Sequence, residues 1–158
     1  MRILVISDSH GRTSAIEEAI EAQPNAKHIF FLGDCTRDIE DLTYIYPEKS
    51  FYIVSGNCDG NSFYKSVDFT TLSGKKIIFT HGHTLSVKFG LERLKAFAEN
   101  ENAHIILFGH THTAITDYEN GRYFVNPGSL SHGSSGFRSY AVIDIEKNGI
   151  NPIIIKMK

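Results

Sequence analysis

Residues 2–10 read RILVISDSH, a short apolar run that ends abruptly in a polar cluster containing Asp8 and His10. An apolar run of this length predicts a buried strand, and the cluster then lies at the strand's carboxyl end. The same pattern occurs four more times. The later clusters are Gly33-Asp34, Gly56-Asn57-Cys58-Asp59, His81-Gly82-His83 and Gly109-His110-Thr111-His112. Because ligand sites of open α/β sheets lie beyond the carboxyl ends of the strands, we expect the five clusters to converge at one edge.

The segments between these clusters predict helices early in the chain and mostly strands later. Helices are predicted over residues 13–23, about 37–46 and 87–100. In the first helix, Ser14 and Glu17 have the spacing of a capping box. Strands are predicted over residues 2–6, 27–32, 51–55, 65–72, 75–80, 104–108, 113–118, 122–126, 139–145 and 150–156. This order predicts an α/β fold of two mixed β-sheets packed as a sandwich and flanked by helices, with residues 1–158 forming a single domain.

The composition excludes several classes of protein. The formal net charge is −2, whereas a protein that binds nucleic acid through the phosphate backbone is usually basic, so we do not expect a nucleic-acid polymer as partner. No apolar run approaches the roughly 20 residues that span a bilayer, so no membrane partner is expected. The first polar residues come too early for a signal peptide. Cys35 and Cys58 do not make a disulfide framework, and the cytoplasm is the predicted location.

The residue types in the clusters predict a site for two metal ions. Carboxylate, imidazole and amide groups form a mixed nitrogen and oxygen set that suits Mn, Fe, Zn, Ni or Co. Residues i and i+2 of an extended segment point the same way about 6.5 Å apart. His110 and His112 can therefore each reach one of two ions about 3.5–4 Å apart. Asp8 and His10 can converge on one ion, and the carboxylate of Asp34 can bridge both.

The charge of such a site predicts its substrate. Two divalent ions, two carboxylates and a bridging hydroxide sum to roughly +1 while the amide and imidazole ligands stay neutral. This residual charge favours an anionic phosphate ester. The sequence therefore predicts hydrolysis of a small phosphoester by a metal-bridging hydroxide that attacks phosphorus.

Taken in order, the motifs D-x-H, G-D, G-N, H-G-H and G-H-x-H resemble the calcineurin-like metallophosphoesterase superfamily. The short length, the G-N-C-D variant at 56–59 and the N-P-G-S stretch at 126–129 are similar to its small YfcE-type phosphodiesterase branch. The resemblance implies two divalent ions, with manganese as the usual activator and Ni, Zn, Fe or Co as alternatives. It also implies a possible homodimer or homotetramer. The implied ligands are Asp8, His10, Asp34 and His112 for one ion, and Asp34, Asn57, His81 and His110 for the other.

One position departs from the wider superfamily. Many members have G-N-H-[DE], whose His is credited with protonating the leaving group or contacting the phosphate, and here that position is Cys58. A thiol is a poor proton donor to an alkoxide, so we predict a preference for phosphodiesters or activated aryl esters. Asn57, Cys58, His81 and His83 are the predicted catalytic residues, with His83 either orienting a ligand or lying in the loop. Further candidates for phosphate contact are Arg37, Arg138 and His132.

Two alternative functions are compatible with the same fold. A metal-dependent nuclease would need an electropositive groove for its polyanionic substrate, and a small chain of net charge −2 leaves little room for one. A non-catalytic interaction scaffold, as in a retromer subunit of this fold, would be expected to lose metal ligands. All seven ligand positions are filled here by competent residues, which favours an enzyme.

Overall fold

The computed structural model describes residues 1–134 and 136–158. The strands are β1 (Arg2–Ile6), β2 (His28–Phe31), β3 (Ser50–Ile53), β4 (Val67–Leu72), β5 (Lys75–Thr80), β6 (Ile105–Phe108), β7 (Ile115–Glu119), β8 (Arg122–Asn126), β9 (Ser139–Glu146) and β10 (Gly149–Lys156). The helices are α1 (Thr13–Ala22), α2 (Arg37–Ile45) and α3 (Glu92–Asn100), and two short 3-10 turns cover His83–Leu85 and Val87–Phe89.

The strands form two mixed five-stranded sheets, which confirms the predicted architecture. The first sheet has the order β10-β9-β1-β2-β3 and the second β4-β5-β6-β8-β7. In the first sheet β1, β2 and β3 are parallel, and in the second β5, β6 and β8 are parallel. The remaining neighbours pair antiparallel.

The sheets pack against each other, and helices cover their outer faces. Alternate residues of a strand point to opposite faces, so β1 contributes side chains to two hydrophobic cores. Ile3 and Val5 pack between the sheets with side chains such as Leu107 of the second sheet. Leu4 and Ile6 face the other way, against α1 and α2. On the outside of the second sheet, α3 packs on β5 and β6.

Two local predictions are wrong. The helix expected over 87–100 is interrupted, because Gly90 has φ +138°, which no helix accommodates, and α3 begins only at Glu92. The capping box is absent because Arg12 occupies the N-cap position of α1, which places Ser14 inside the first turn, and no side chain caps this end. Within residues 1–134 and 136–158, no helix is long and apolar enough to cross a membrane.

The packing brings the carboxyl ends of the parallel strands together. The N–H group of Asp8 donates to the Gly33 carbonyl at 3.1 Å, which joins the loops after β1 and β2. The N–H group of Gly109 donates to the His81 carbonyl at 3.1 Å and joins the loops after β5 and β6. The N–H group of His110 donates to the Asp8 carboxylate at 3.2 Å, so the polar clusters of both sheets meet at one side of the sandwich.

Candidate metal centre

Four of the predicted ligands bring donor atoms together in a first group. The Nε2 atoms of His10 and His112 lie 3.3 Å apart, and Nε2 of His112 lies 3.0 Å from Oδ1 of Asp8. The Nε2 atom of His10 is also 3.8 Å from Oδ1 of Asp8 and 3.8 Å from Oδ2 of Asp34. Asp8 is fully buried and Asp34 nearly so, whereas the two imidazoles reach the surface.

A second group surrounds the buried imidazole of His81. Its Nε2 atom lies 3.1 Å from Oδ1 of Asn57, 3.1 Å from Nδ1 of His110 and 3.5 Å from Oδ1 of Asp34. The Asp34 carboxylate thus turns one oxygen toward each group. The seven side chains predicted as metal ligands are all brought together, and Oδ1 of Asp8 also lies 4.0 Å from Nε2 of His81.

The spacing of the donor atoms fits ligation of divalent cations. Donor atoms about 2.1 Å from a cation lie about 3.0 Å apart at a right angle and about 3.4 Å apart at the tetrahedral angle. The four shortest distances in the two groups are 3.0–3.3 Å. In each of two sets of three residues, the ligand atoms all lie within 4.8 Å of one another; the sets are Asp8, His10 and His112, and Asp8, Asp34 and His81.

The protonation pattern of His81 makes this geometry more specific. Its Nδ1 atom lies 2.7 Å from the Leu32 carbonyl and must donate to it, so the neutral form of the ring has its lone pair on Nε2. The amide nitrogen of Asn57 lies 3.4 Å from the Cys58 sulfur, so the amide oxygen is the atom that faces His81. Two acceptors therefore face each other at 3.1 Å with no hydrogen between them. A cation between them would remove the repulsion.

The histidines of the two groups differ electrostatically. Burial, with the nearby charges of His81 and Lys88, lowers the pKa of His110 to about 4, so its imidazole is neutral at pH 7 and suited to ligation. The hydrogen bond to Asp8 raises the pKa of His112. Burial alone would raise the pKa of Asp8, but the hydrogen bond from His112 and the charge of His81 outweigh it and the pKa is lowered.

Most of the site residues have unusual backbone conformations. Five of the seven predicted ligands have left-handed φ values between +45° and +68°; they are Asp8, His10, Asp34, His110 and His112. Such residues cost of order 1–3 kcal/mol each and persist where surrounding contacts hold them, commonly at functional sites. Sequence analysis missed this feature, although Asp and His tolerate this conformation better than most residues.

Close packing explains two of the glycines in the motifs. A side chain at position 56 would overlap the Asp34 carboxylate, and one at position 109 would overlap the Ser7 hydroxyl beside Asp8. Gly56 and Gly109 therefore let neighbouring loops approach the two ligand carboxylates without steric conflict.

Hydrogen bonds from outside the two groups hold the loops in place. The Asp59 carboxylate accepts from the N–H groups of Asp34 and Gly56, and the Asp38 carboxylate accepts from Ser9 and from the N–H group of Gly11. The role of Asp38 could not be predicted from the sequence, because its partners lie more than 25 residues away and leave no local signal.

Ser129, in the N-P-G-S stretch, donates from its hydroxyl to the Asp8 carbonyl at 2.9 Å. The hydroxyl oxygen of Ser129 also accepts from the N–H groups of Ser131 and His132 at 3.0 Å each. The His132 carbonyl in turn accepts from Nδ1 of His112 at 3.1 Å. Ser129 thus holds the backbone of Asp8 directly and, through His132, the ring of His112.

The other candidate residues lie at or near the centre. The His83 ring is 5.4 Å from that of His81, and burial lowers its pKa. Its Nδ1 atom is buried and has no hydrogen-bond partner within residues 1–134 and 136–158. Burial and a hydrogen bond to Asp34 raise the pKa of the Cys58 thiol to about 11.

The predicted phosphate contacts are less well placed. Arg138 donates to the Lys158 carbonyl and lies 3.7 Å from Glu18, so its guanidinium is engaged away from the two groups. Arg138 and His132 line a cavity of about 260 Å³ together with Arg12. Arg37 is the first residue of α2.

Two mixed sheets with carboxylate, imidazole and amide donors gathered in two groups at their strand ends, and one carboxylate common to both, define the metallophosphoesterase class. The family model for the calcineurin-like phosphoesterase superfamily domain matches residues 1–148. The chain therefore belongs to this superfamily, and the predictions of the family and of a metal-dependent phosphoesterase are confirmed.

Individual relatives agree with this assignment. The chain is 32% identical to the probable metallophosphoesterase YsnB of Bacillus subtilis, over 94% of this chain and 86% of that protein. It is 28% identical to the phosphodiesterase YfcE of Escherichia coli, over 91% and 88%. A crystal structure of a conserved protein from Streptococcus pneumoniae, described as a predicted phosphoesterase, superimposes with a TM-score of 0.84 at 30% identity and covers 98% of this chain and 88% of that one.

Proposed function

We propose that the chain is a phosphodiesterase that uses two divalent cations. The first is held by Asp8, His10, Asp34 and His112, and the second by Asp34, Asn57, His81 and His110. The observation that carries the proposal is the pair of facing acceptors, Nε2 of His81 and Oδ1 of Asn57, 3.1 Å apart in a group that shares Asp34 with the other. Bound there, the cations would polarise a phosphoryl oxygen and activate water for attack on phosphorus.

The chain's own groups prepare the site for this chemistry. The Leu32 and His132 carbonyls accept from Nδ1 of His81 and of His112, which orients Nε2 of each ring toward the proposed cations; a cation would take the place of the Nε2 proton that His112 shares with Asp8. Two carboxylates among otherwise neutral ligands leave excess positive charge on two divalent cations, which attracts an anionic ester. His83 lies with its ring 5.4 Å from that of His81, and its buried Nδ1 atom has no hydrogen-bond partner among the described residues, so we assign it the role of orienting its neighbour or the phosphoryl group.

Cys58 supports a diester or an activated aryl ester as substrate. A general acid works best with a pKa near the working pH. The pKa of about 11 keeps the Cys58 thiol protonated and neutral near pH 7, far from that optimum. Substrates whose leaving group departs without a proton are therefore favoured, in line with the name of the YfcE relative.

A substrate panel tests the proposal. Chelator-treated protein is reloaded with Mn²⁺ and assayed on bis(4-nitrophenyl) phosphate, an aliphatic monoester and single-stranded DNA, while bound metal is counted by elemental analysis. We expect two ions per chain and fastest hydrolysis of the aryl diester. Protein that binds no divalent ion and hydrolyses no ester would favour the interaction scaffold, preference for DNA would favour the nuclease, and two bound ions without hydrolysis of any ester would contradict the proposal.

Matched variants connect the activity to the site. Asp34→Asn should abolish hydrolysis and reduce the metal count, because its carboxylate serves both groups. Asp68→Asn is the control, since Asp68 lies on β4 and pairs with the exposed Lys65. Full activity and two ions in Asp34→Asn would contradict the proposal.

We extend the proposal to the organisation of the protein. A single domain over residues 1–158 is supported by the core between the sheets, which takes side chains from Ile3 to Ile145. The cytoplasmic location stays a prediction that is based on the free thiols of Cys35 and Cys58. The homodimer or homotetramer also stays a prediction, for which light scattering after gel filtration is the direct test.

A further inference from the structure

The Cys58 sulfur belongs to a third group of potential ligand atoms. Ligand atoms of His10, Asp34 and Cys58 lie within 4.8 Å of one another. The imidazole of His10 and the carboxylate of Asp34 also belong to the first proposed cation site. A sulfur atom therefore stands beside a site whose other donors are nitrogen and oxygen.

Backbone contacts hold the sulfur in this position. The N–H group of Cys58 donates to Oδ1 of Asp34 at 2.9 Å, so the cysteine is tied to the carboxylate with which it would share an ion. Asp59 accepts from the N–H groups of both Gly56 and Asp34 and joins the two loops. The sulfur makes a weak contact with the Asn57 amide at 3.4 Å, and its thiol hydrogen bonds to Asp34, a contact that a shared cation would replace.

We propose that Cys58 is a conditional metal ligand, whose sulfur joins His10 and Asp34 around a thiophilic cation such as Zn²⁺, Co²⁺ or Cd²⁺ and stays uncoordinated when the cation is Mn²⁺. Thiolates select soft and borderline ions, whereas Mn²⁺ favours oxygen donors. On ligation the S–H bond breaks, its proton passes to solvent and a sulfur–metal bond forms, so nothing is oxidised or reduced. The inference rests on the proposed function only in taking His10 and Asp34 as cation ligands.

The identity of the bound cation then controls the site. A thiolate adds one negative charge and occupies a coordination position that substrate or water would otherwise take. The excess positive charge that attracts a phosphate ester falls accordingly. We expect the zinc-loaded protein to be less active than the manganese-loaded protein, with Cys58 as the cause of the difference.

Cobalt absorption tests the ligation directly and without any substrate. Metal-free protein is titrated with Co²⁺ while the near-ultraviolet absorption of a thiolate-to-cobalt charge transfer is recorded and bound cobalt is counted. We expect the band in the unaltered protein and in Cys35→Ser, which removes the other free thiol. Cys58→Ser and Cys58→Ala should bind cobalt without the band. A band that persists in Cys58→Ser, or cobalt bound by the unaltered protein without one, would overturn the inference.

An inhibition assay tests the consequence. With Mn²⁺ present, Zn²⁺ should inhibit hydrolysis of bis(4-nitrophenyl) phosphate at a concentration roughly tenfold or more lower in the unaltered protein than in Cys58→Ser, since even indirect partners of a metal site contribute 10–100-fold in affinity. Equal sensitivity would contradict the inhibitory role. If the protein shows the cobalt band but hydrolyses no ester, the ligation by Cys58 stands and the proposed function fails. If it hydrolyses esters but shows no band, the proposed function stands and the ligation by Cys58 fails.

Discussion

Replacing Asp59 with Asn tests whether contacts with the backbone hold the candidate centre together. The Asp59 carboxylate accepts hydrogen bonds from the N–H groups of Asp34 at 3.0 Å, Gly56 at 2.6 Å and Thr36 at 2.7 Å. The first two reach Oδ2 and the third reaches Oδ1. One side chain thus joins the loop after β2 to the loop after β3.

The structure gives the magnitude of the effect. An asparagine offers one acceptor oxygen instead of two. In the better orientation this oxygen keeps the hydrogen bonds from the N–H groups of Asp34 and Gly56. The amide nitrogen then faces the N–H donor of Thr36, and that hydrogen bond is lost. Losing a hydrogen bond to a charged group costs about 1.5–3 kcal/mol, and the partial exposure of Asp59 favours the lower half of this range. For a chain of this size we expect the melting temperature to fall by roughly 3–8 °C.

Calorimetric unfolding and a metal titration measure the two consequences. Because Asp59 positions Asp34, we also expect the affinity for Mn²⁺ to fall about 10–100-fold. Asp68→Asn is the matched control, since its exposed ion pair with Lys65 contributes at most about 1 kcal/mol. An Asp59→Asn protein with unchanged melting temperature and unchanged Mn²⁺ affinity would refute the argument that this carboxylate organises the centre.

Three further predictions follow from the site. Gly109→Ala should lower Mn²⁺ affinity, because the added methyl group would overlap the Ser7 hydroxyl beside Asp8, whereas Gly149→Ala, with open space around it, should bind Mn²⁺ normally in the same titration. Cys58→His should raise the rate on aliphatic monoesters relative to bis(4-nitrophenyl) phosphate, and an unchanged ratio would remove the argument about the leaving-group proton. Chelation should lower the melting temperature without unfolding the protein. A Mn²⁺ concentration 100 times the dissociation constant should then raise the free energy of unfolding by about 2.7 kcal/mol. A melting temperature independent of Mn²⁺ would count against binding.

The positions of the proposed ligand residues could be predicted because they follow from strand ends. The burial of β1 and of β6 is visible in their apolar runs, and Asp8 and His110 come directly after the points where those runs stop. Their backbone conformations could not be predicted, because a left-handed φ at Asp8 or His110 is set by contacts made across the sandwich. For example, the N–H group of His110 donates to the Asp8 carboxylate, 102 residues away in the chain.

The interrupted helix shows a different limit. The apolar stripe of residues 87–100 is real, since Val87 and Leu94 are both buried in the same core. Periodicity alone does not show whether the backbone between two such residues stays helical. Here Gly90 lies between them with φ +138°, so the chain leaves the helical conformation and α3 begins only at Glu92.

Contacts from outside the proposed ligand set hold the ligand loops. Five left-handed residues among the proposed ligands are unfavourable features that other interactions must offset. Asp59, Asp38 and Ser129 provide such interactions through backbone groups, and none of the three is among the proposed cation ligands. A small zinc finger has few contacts beyond its ligands and unfolds without the ion. Because this chain has such contacts and two sheets with their own cores, we expect a cooperative unfolding transition to remain after chelation, and its loss would contradict the argument.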